Sequence, residues 1–537
     1  MTAQGSHRFT QPEQFVTYLM EAFGGRMISK PSVSYPGEVH FQTEKSNIIC
    51  IAAKLNNNLG FSLIQLTATD ERTINGSFML YYTFACYLDK FIVVIRTSVG
   101  EDDPVFPSIT KDVPAAHWYE REIKDLFGLK PEGHPDNRRL VLHKDWPQNL
   151  FPMRRDFKPD SEVPRHEGHF SFDKVEGEGV IQIPVGPIHA GIIEPGHFRF
   201  SAVGENVINL EARFFYTHRG MEKLCEGTTP NHGLLIAERI CGACSLSHST
   251  AFCQAVEKLA NTKVPDRANF IRTIGLELER LYNHIGDVGN ICAGTGFAFG
   301  TMHGARLKEE IMRLNERVFG SRFLRGINIP GGVRRDIREN DCEAILSTLR
   351  DVEKDFRELT DILLSTESYL DRCEGTGILQ QQTALDLHAV GPAARAAGIN
   401  RDTRRDHPYV AYDRVFFGVP VYKEGDVLAR FKIRIDETFE SMGIIRQALE
   451  LMPAGEIWES LGEMAPFCYA VGITESARGE NVHFVMSGED GTIFRHMVRS
   501  ASYCNWPVVP STVPGNIVPD FPLINKSFEL CYSCLDR

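Results

Sequence analysis

Two short cysteine pairs constrain this chain more than anything else in it. The stretch "RICGACSLSH" (239–248) carries Cys241 and Cys244, and the final "CYSCLDR" (531–537) carries Cys531 and Cys534. If all four sulfurs serve one site, the fold must bring its last seven residues back across the 286 residues that separate Cys244 from Cys531. Soft thiolates suit zinc, an iron–sulfur cluster or nickel, so ligand type alone does not choose. Spacing narrows the field, because zinc ribbons and knuckles close loops of ~15–20 residues. A thioredoxin-type dithiol would need only one pair, at a strand-to-helix junction, and would leave the other unexplained. A metal site embedded in the core uses both pairs; structural zinc and accidental pairing are the alternatives.

The neighbours extend this reading. If "CSLSHSTAFCQAVEKLA" is helical, His248 lies one turn beyond Cys244 on the same face, where it can donate a hydrogen bond to a thiolate. The competing reading is a histidine on a helix surface. The remaining cysteines are of another kind. Thirteen is an odd number for a disulfide framework in a chain of 537 residues. Cys50, Cys86, Cys253, Cys292, Cys342, Cys373, Cys468 and Cys504 sit singly and read as core packing.

Composition excludes other classes. A net charge of -12 disfavours phosphate-backbone binding, which needs a concentrated basic surface, and argues against nucleic acid as a partner. No apolar run approaches a membrane span, and "FIVVI" at 91–95 is far too short for one. The start, "MTAQGSHRFTQPEQF", lacks a basic segment followed by an apolar one, which predicts a cytosolic setting.

The clearest break is "KPDSEVPRHEGHFSFDKVEGEG" (158–179), rich in charge, Pro and Gly, and it reads as a linker between domains 1–157 and 180–537. Before it, "SNIICIAAKL", "FSLIQLTAT", "SFMLYYTFACYL" and "FIVVIRTSV" read as strands or short buried segments, and "AAHWYEREIKDLFGL" as a helix ending at Gly128. The first domain is therefore expected to be α+β. After the linker, "GVIQIPVGPIHA" and "HFRFSAVGENVINLEARFFYT" alternate like antiparallel strands, forming a small sheet. Helices then dominate: Ile345, Leu349, Val352, Phe356, Leu359 and Leu363 recur at steps of four and three, and "RANFIRTIGLELERLYNHIGDVGNI" reads alike. The second domain is expected to be mainly a helix bundle, and the fold class α+β overall.

At this point the residues carry a family resemblance. "HRGMEKL" (218–224), "ERICGACSLSH" (238–248), "SARGENVHF" (476–484) and "CYSCLDR" resemble the catalytic large subunit of nickel–iron hydrogenases. "WYEREIKDLFGL", "GHPDNRRLVLHKDWP" and "PMRRDF" resemble the thirty-kilodalton subunit of respiratory complex I. "GPIHAGIIEPGHFRF", "LELERLYNHIGD", "GGVRRD" and "RDTRRDHPYVAYD" fit the scaffold shared by the hydrogenase large subunit and the complex I forty-nine-kilodalton subunit. Such a fusion is similar to the large subunit of energy-converting, membrane-bound hydrogenases of the formate hydrogenlyase and hydrogenase-4 type. Complex I relatives lack the four metal-binding cysteines, all of which are here.

The resemblance implies a nickel–iron centre whose iron carries carbonyl and cyanide. Cys241 and Cys531 would be terminal on nickel, with Cys244 and Cys534 bridging to iron. Arg478 matches an arginine overhanging the metals, where a guanidinium can polarise a reacting group in a dry pocket. Glu222 matches a glutamate that relays protons, work suited to a carboxyl whose pKa burial raises. Three features depart from the pattern: Ser476 and Ala477 replace Ala-Pro before the arginine, Glu529 and Leu530 replace Asp-Pro before Cys531, and Arg537 stands where uptake enzymes have histidine. Accordingly no magnesium site is assigned. Glu529 keeps a carboxylate near the metals with one more methylene.

No further cysteine set suits an iron–sulfur cluster, so electrons need partners. The resemblance implies a small subunit with a 4Fe-4S cluster, ferredoxin-like iron–sulfur subunits, antiporter-like membrane subunits and, in one variant, formate dehydrogenase. The chain would then sit on the cytoplasmic face of the membrane through those partners. The competing expectation is a nickel-free, quinone-coupled electron-transfer subunit of the complex I kind.

Overall fold

The computed structural model describes residues 9–189 and 193–537. Residues 190–192, within the "GPIHAGIIEPGHFRF" motif, lie outside that description. The chain divides into two compact units, Met1–Phe172 with Phe214–His218, and Asp173–Arg213 with Arg219–Arg537. The main division falls inside the stretch expected to be a linker.

In the first unit a five-stranded sheet runs in the order Ser32–Tyr35, Glu38–Gln42, Phe91–Gly100, Ser77–Cys86, Ser62–Glu71. Neighbours are antiparallel except the second and third, which are parallel. The three long strands are apolar and β-branched, and their residues are mostly buried. Helix His117–Phe127 ends where Gly128 takes φ 73°, a left-handed stop that glycine adopts without strain. One expectation is corrected here. "SNIICIAAKL" contains a short helix, Ile48–Ala53, that buries Ile48, Ile51 and Ala52 at helical spacing. Apolar runs this short cannot be separated by periodicity alone.

The second unit opens on a three-stranded antiparallel sheet of Val180–Val185, His197–Val203 and Asn206–Arg213. Helices follow. Asp266–Gly294 is central, packing on Ala298–Phe319, Val427–Leu451 and Phe521–Phe528. Gly289 and Gly304 let the first two helices cross closely: a Cβ on Gly304 would lie 2.6 Å from the Gly289 Cα. Helix Glu339–Ser365 buries Ile345, Leu349, Val352, Phe356, Leu359 and Leu363, the stripe read from sequence.

A second antiparallel sheet, Tyr469–Ser476, Gly479–Ser487 and Ile493–Arg499, was not separately resolved in the sequence pattern. It is buried on both faces, so its residues do not alternate apolar and polar. Its first strand lies against helix Ser245–Leu259; a Cβ on Gly472 would sit 1.8 Å from the Ala251 carbonyl oxygen. Of the singly placed cysteines, Cys50 is exposed and takes a hydrogen bond from Arg26, while Cys342 and Cys468 are partly buried. The other five are buried.

Candidate metal centre

Both cysteine pairs sit at helix starts, each held by the backbone around it. Cys244 immediately precedes helix Ser245–Leu259. Three side chains of helix Asp266–Gly294 grip this turn. Glu279 accepts from the Leu246 and Ser247 N–H groups at 2.7 and 3.1 Å. Asn283 donates to the Ala243 carbonyl at 2.6 Å, and the Tyr282 hydroxyl reaches the Gly242 and Ala243 carbonyls at 3.2 Å.

The downstream pair follows helix Phe521–Phe528, which ends at Glu529 in the left-handed region with φ 52°. Cys531 then precedes helix Tyr532–Asp536. Its N–H donates to Ser502 Oγ at 3.0 Å, and Ser500 Oγ donates to the Cys534 carbonyl at 2.8 Å. Arg219 ties the two segments together, donating to the Ile240 carbonyl at 2.7 Å and to the Ser533 carbonyl at 3.1 Å.

The sulfurs converge. Cys244 Sγ and Cys534 Sγ are 3.2 Å apart, and those of Cys241, Cys531 and Cys534 lie within 4.8 Å of one another. All four are free thiols, with Cys241, Cys244 and Cys534 buried and Cys531 partly so. Hydrogen bonds among them raise Cys244 and Cys531 well above the ordinary thiol range and lower Cys241. Burial, then the neighbouring sulfurs, raises Cys534. One sulfur thus accepts from its neighbours, and ionising all four in this dry space needs compensating positive charge. A thiolate-bound metal ion supplies it, so the donor set fits one.

Arg478 provides positive charge beside the sulfurs. It occupies the tight turn between Ser476 and Gly479, which pair across the hairpin. The absence of proline before it does not leave this turn loose. Ser476 Oγ accepts from the Arg478 N–H at 3.2 Å and donates to the Gly479 carbonyl at 2.9 Å. Arg280 holds the Glu475 and Ser476 carbonyls at 2.7 and 3.0 Å. The guanidinium itself makes a two-pronged pair with Asp287, Nη1 to Oδ2 at 2.6 Å and Nη2 to Oδ1 at 2.9 Å. Burial works against its charge, but Asp287 together with Cys531, Glu529 and Cys244 outweighs burial and raises its pKa. Burial would raise Asp287 in turn, yet Arg478 and Arg434 bring it down to about 2.

Glu529 Oε2 is 4.0 Å from Arg478 Nη2, and Asn290 donates to its Oε1. Burial, then repulsion from Asp287, pushes its carboxyl up to about 7. Lys526 in turn donates to Asn290 at 2.7 Å. His248 is fully buried, and its Nε2 lies 3.5 Å from Cys534 Sγ.

Glu222 is buried and held on three sides. Its carboxylate takes Arg495 Nη1 and Arg537 Nη1 at 3.0 Å each, and the Val498 N–H at 3.0 Å. Burial alone would raise its pKa, as expected of a proton relay, but Arg537 and Arg495 outweigh burial and lower it. Its carboxylate thereby anchors the Arg537 side chain.

Asp287, Glu279, Asn283 and Arg219 escaped the sequence reading of the site. The first three share the stretch "LELERLYNHIGD", whose signal is polar and ionisable residues at positions where a buried helix should be apolar.

Similarities to known proteins cover the same segments. The model of the "Nickel-dependent hydrogenase" family matches residues 219–287, which include Cys241 and Cys244. The model of the "Respiratory-chain NADH dehydrogenase, 30 Kd subunit" matches 41–163, and that of the 49 Kd subunit matches 295–467 and 459–537. Formate hydrogenlyase subunit 5 of Escherichia coli is 36% identical over 98% of this chain and 93% of its own length. The chain belongs to this hydrogenase family. Hydrogenase-4 component G of the same organism is 39% identical over 88% of the chain and 83% of its own length. The C/D subunit of the NADH-quinone oxidoreductase of Bacteroides fragilis is 29% identical over 83% of the chain and 88% of its own length.

Among solved structures, one titled "Structure of the membrane-bound sulfane sulfur reductase (MBS), an archaeal respiratory membrane complex" superposes with a TM-score of 0.63 at 27% identity. It covers 67% of this chain and 99% of that one. The relatives named are oxidoreductase subunits, and the chain joins a segment of the hydrogenase large-subunit family to a complex I thirty-kilodalton-like domain. Among the described residues no helix is long and apolar enough to cross a membrane.

Proposed function

We propose that this chain is the catalytic subunit of a nickel–iron hydrogenase complex, interconverting protons and electrons with H2, and evolving H2 in an assembly of the formate hydrogenlyase or hydrogenase-4 type. The observation that carries this reading is the convergence of four free thiols from two distant segments beside Arg478. Cys241, Cys244, Cys531 and Cys534 would hold the metal pair through their sulfurs, those of Cys244 and Cys534 lying 3.2 Å apart. When bound, the metal pair, with carbonyl and cyanide on its iron, supplies the centre at which H2 is made or split.

The protein's own groups prepare the pocket. Arg478 presents a fixed positive charge, held by Asp287 rather than by solvent, so it needs no reorganisation as charge develops nearby. Glu529 places a carboxyl between Arg478 and the partly buried Asn290–Lys526 pair, where Oε2 can hold a proton. Glu222 keeps Arg537 in place and so keeps Cys534 in register.

Partners complete the path: a small subunit with a 4Fe-4S cluster, ferredoxin-like subunits, antiporter-like membrane subunits, and formate dehydrogenase as electron donor in one variant. Domains 1–157 and 180–537 would serve docking and catalysis, with the chain peripheral on the cytoplasmic face of the membrane. The likeness to NADH-quinone oxidoreductase subunits supports a second reading, a nickel-free and quinone-coupled electron-transfer protein. Cys531→Ser separates the two. Loss of nickel and of H2 activity supports the hydrogenase; an assembled complex that never held nickel and keeps quinone reduction after the substitution supports the other.

A further inference from the structure

His248 does not stand alone beside Cys534. Its Nδ1 lies 2.9 Å from His483 Nε2, and His483 Nδ1 lies 3.0 Å from His496 Nε2. The three rings come from helix Ser245–Leu259 and from two neighbouring strands, Gly479–Ser487 and Ile493–Arg499. All three are buried. Each N···N hydrogen bond joins an N–H to a lone pair, so along this buried series each ring is read as neutral, with one hydrogen and one lone pair.

Neutral rings in series have two arrangements, with every hydrogen on Nε2 or every hydrogen on Nδ1. The far end decides between them. His496 Nδ1 is buried and has no hydrogen-bond partner among the described residues; the ring packs edge-on against Phe252. A buried N–H without an acceptor is costlier and rarer than an unused lone pair. The His496 hydrogen therefore belongs on Nε2, donated to His483, and the His483 hydrogen on Nε2, donated to His248.

We infer that His483 and His496 are positioning residues that hold His248 as a hydrogen-bond donor, through Nε2, to Cys534 Sγ 3.5 Å away. The inference rests on reading Cys534 as a metal ligand. A donor on a ligating thiolate draws electron density from the sulfur, and through it from the metals. Linked donors polarise one another, by roughly 10–30% per bond, so the two outer rings tune the sulfur without touching it.

The test is infrared spectroscopy of the iron-bound carbonyl and cyanide in the assembled, nickel-loaded complex. His483→Leu should move the bands to lower wavenumber at unchanged nickel content, and His496→Leu should move them the same way by less. His496→Gln, whose amide can donate to His483 Nδ1, should restore them, and Phe252→Leu, which loosens the same packing, should leave them in place. Unmoved bands in nickel-replete His483→Leu overturn the inference. If that variant fails to load nickel, unmoved bands in His496→Leu overturn it. Absence of nickel from the unsubstituted complex overturns the reading of the site, and the inference with it.

Discussion

Two pairs of buried carboxylates, one pair in each unit, are held in opposite ways. In the first unit, Glu120 accepts from Ser108 Oγ, Thr110 Oγ1 and the Ile109 N–H at 2.5, 2.7 and 2.7 Å. Asp125 accepts from the N–H groups of Leu140, Val141 and Leu142 at 2.8, 2.9 and 3.2 Å. These donors are neutral, and burial pushes Glu120 up to about 7 and Asp125 to about 6. In the second unit, Asp287 pairs with Arg478 and Arg434, and Glu222 with Arg495 and Arg537; both are lowered because the arginines outweigh burial. Glu279 shows that the donor, not the unit, decides. It lies in the second unit but accepts backbone N–H groups, and burial pushes it up to about 8. Carboxylates that tie loops can be close to neutral, whereas those that fix arginines at the sulfur site stay ionised.

The sharpest way to break this contrast is Asp287→Asn. It leaves two buried guanidinium groups uncompensated, and should cost about 3–5 kcal/mol and abolish H2 activity; denaturant unfolding and a hydrogen assay read both. Glu222→Gln comes next, at about 3 kcal/mol, because it frees Arg495 and Arg537. Metal analysis should show nickel lost with the loosened C-terminal segment, while a nickel-replete variant would mean that Glu222 anchors nothing.

Dependence on pH should differ in sign between the two sets. For Glu120 and Asp125 the folded values lie above the unfolded ones of 4.5 and 3.8, so their stabilisation is complete at acid pH and fades as pH rises through 6 to 7. For Asp287 the folded value of about 2 lies below 3.8, so its stabilisation is complete above that value and fades as pH falls through 2. Hydrogen exchange followed peptide by peptide should show protection around 108–142 falling by about 1–2 kcal/mol from pH 5 to pH 8, with residues around Asp287 unaffected. The mildest change is Glu120→Gln, about 1 kcal/mol or less near pH 7, since the carboxyl it replaces is already partly neutral. A loss as large as that of Asp287→Asn would erase the distinction.

What the sequence reveals follows from how local each signal is. The helix stripe from Ile345 to Leu363 and the stop at Gly128 are written within a few turns, and the structure bears both out. The four cysteines were legible as one set because thiolates in paired spacing have few other uses. The surroundings of Glu222 were not legible because its partners, Arg495 and Arg537, lie 273 and 315 residues away, and no local pattern announces an arginine that far off. The helix Ile48–Ala53 was hidden because six residues are too few for its period to show. The sheet from Tyr469 to Arg499 was hidden because strands buried on both faces carry no alternation to read.

The most direct measurement is X-ray absorption at the nickel edge of the purified complex, together with metal analysis. The account predicts stoichiometric nickel in an all-sulfur protein ligand shell, with nickel lost in Cys531→Ser. Tetrahedral zinc on the four sulfurs, with no nickel under conditions that permit its insertion, would contradict it.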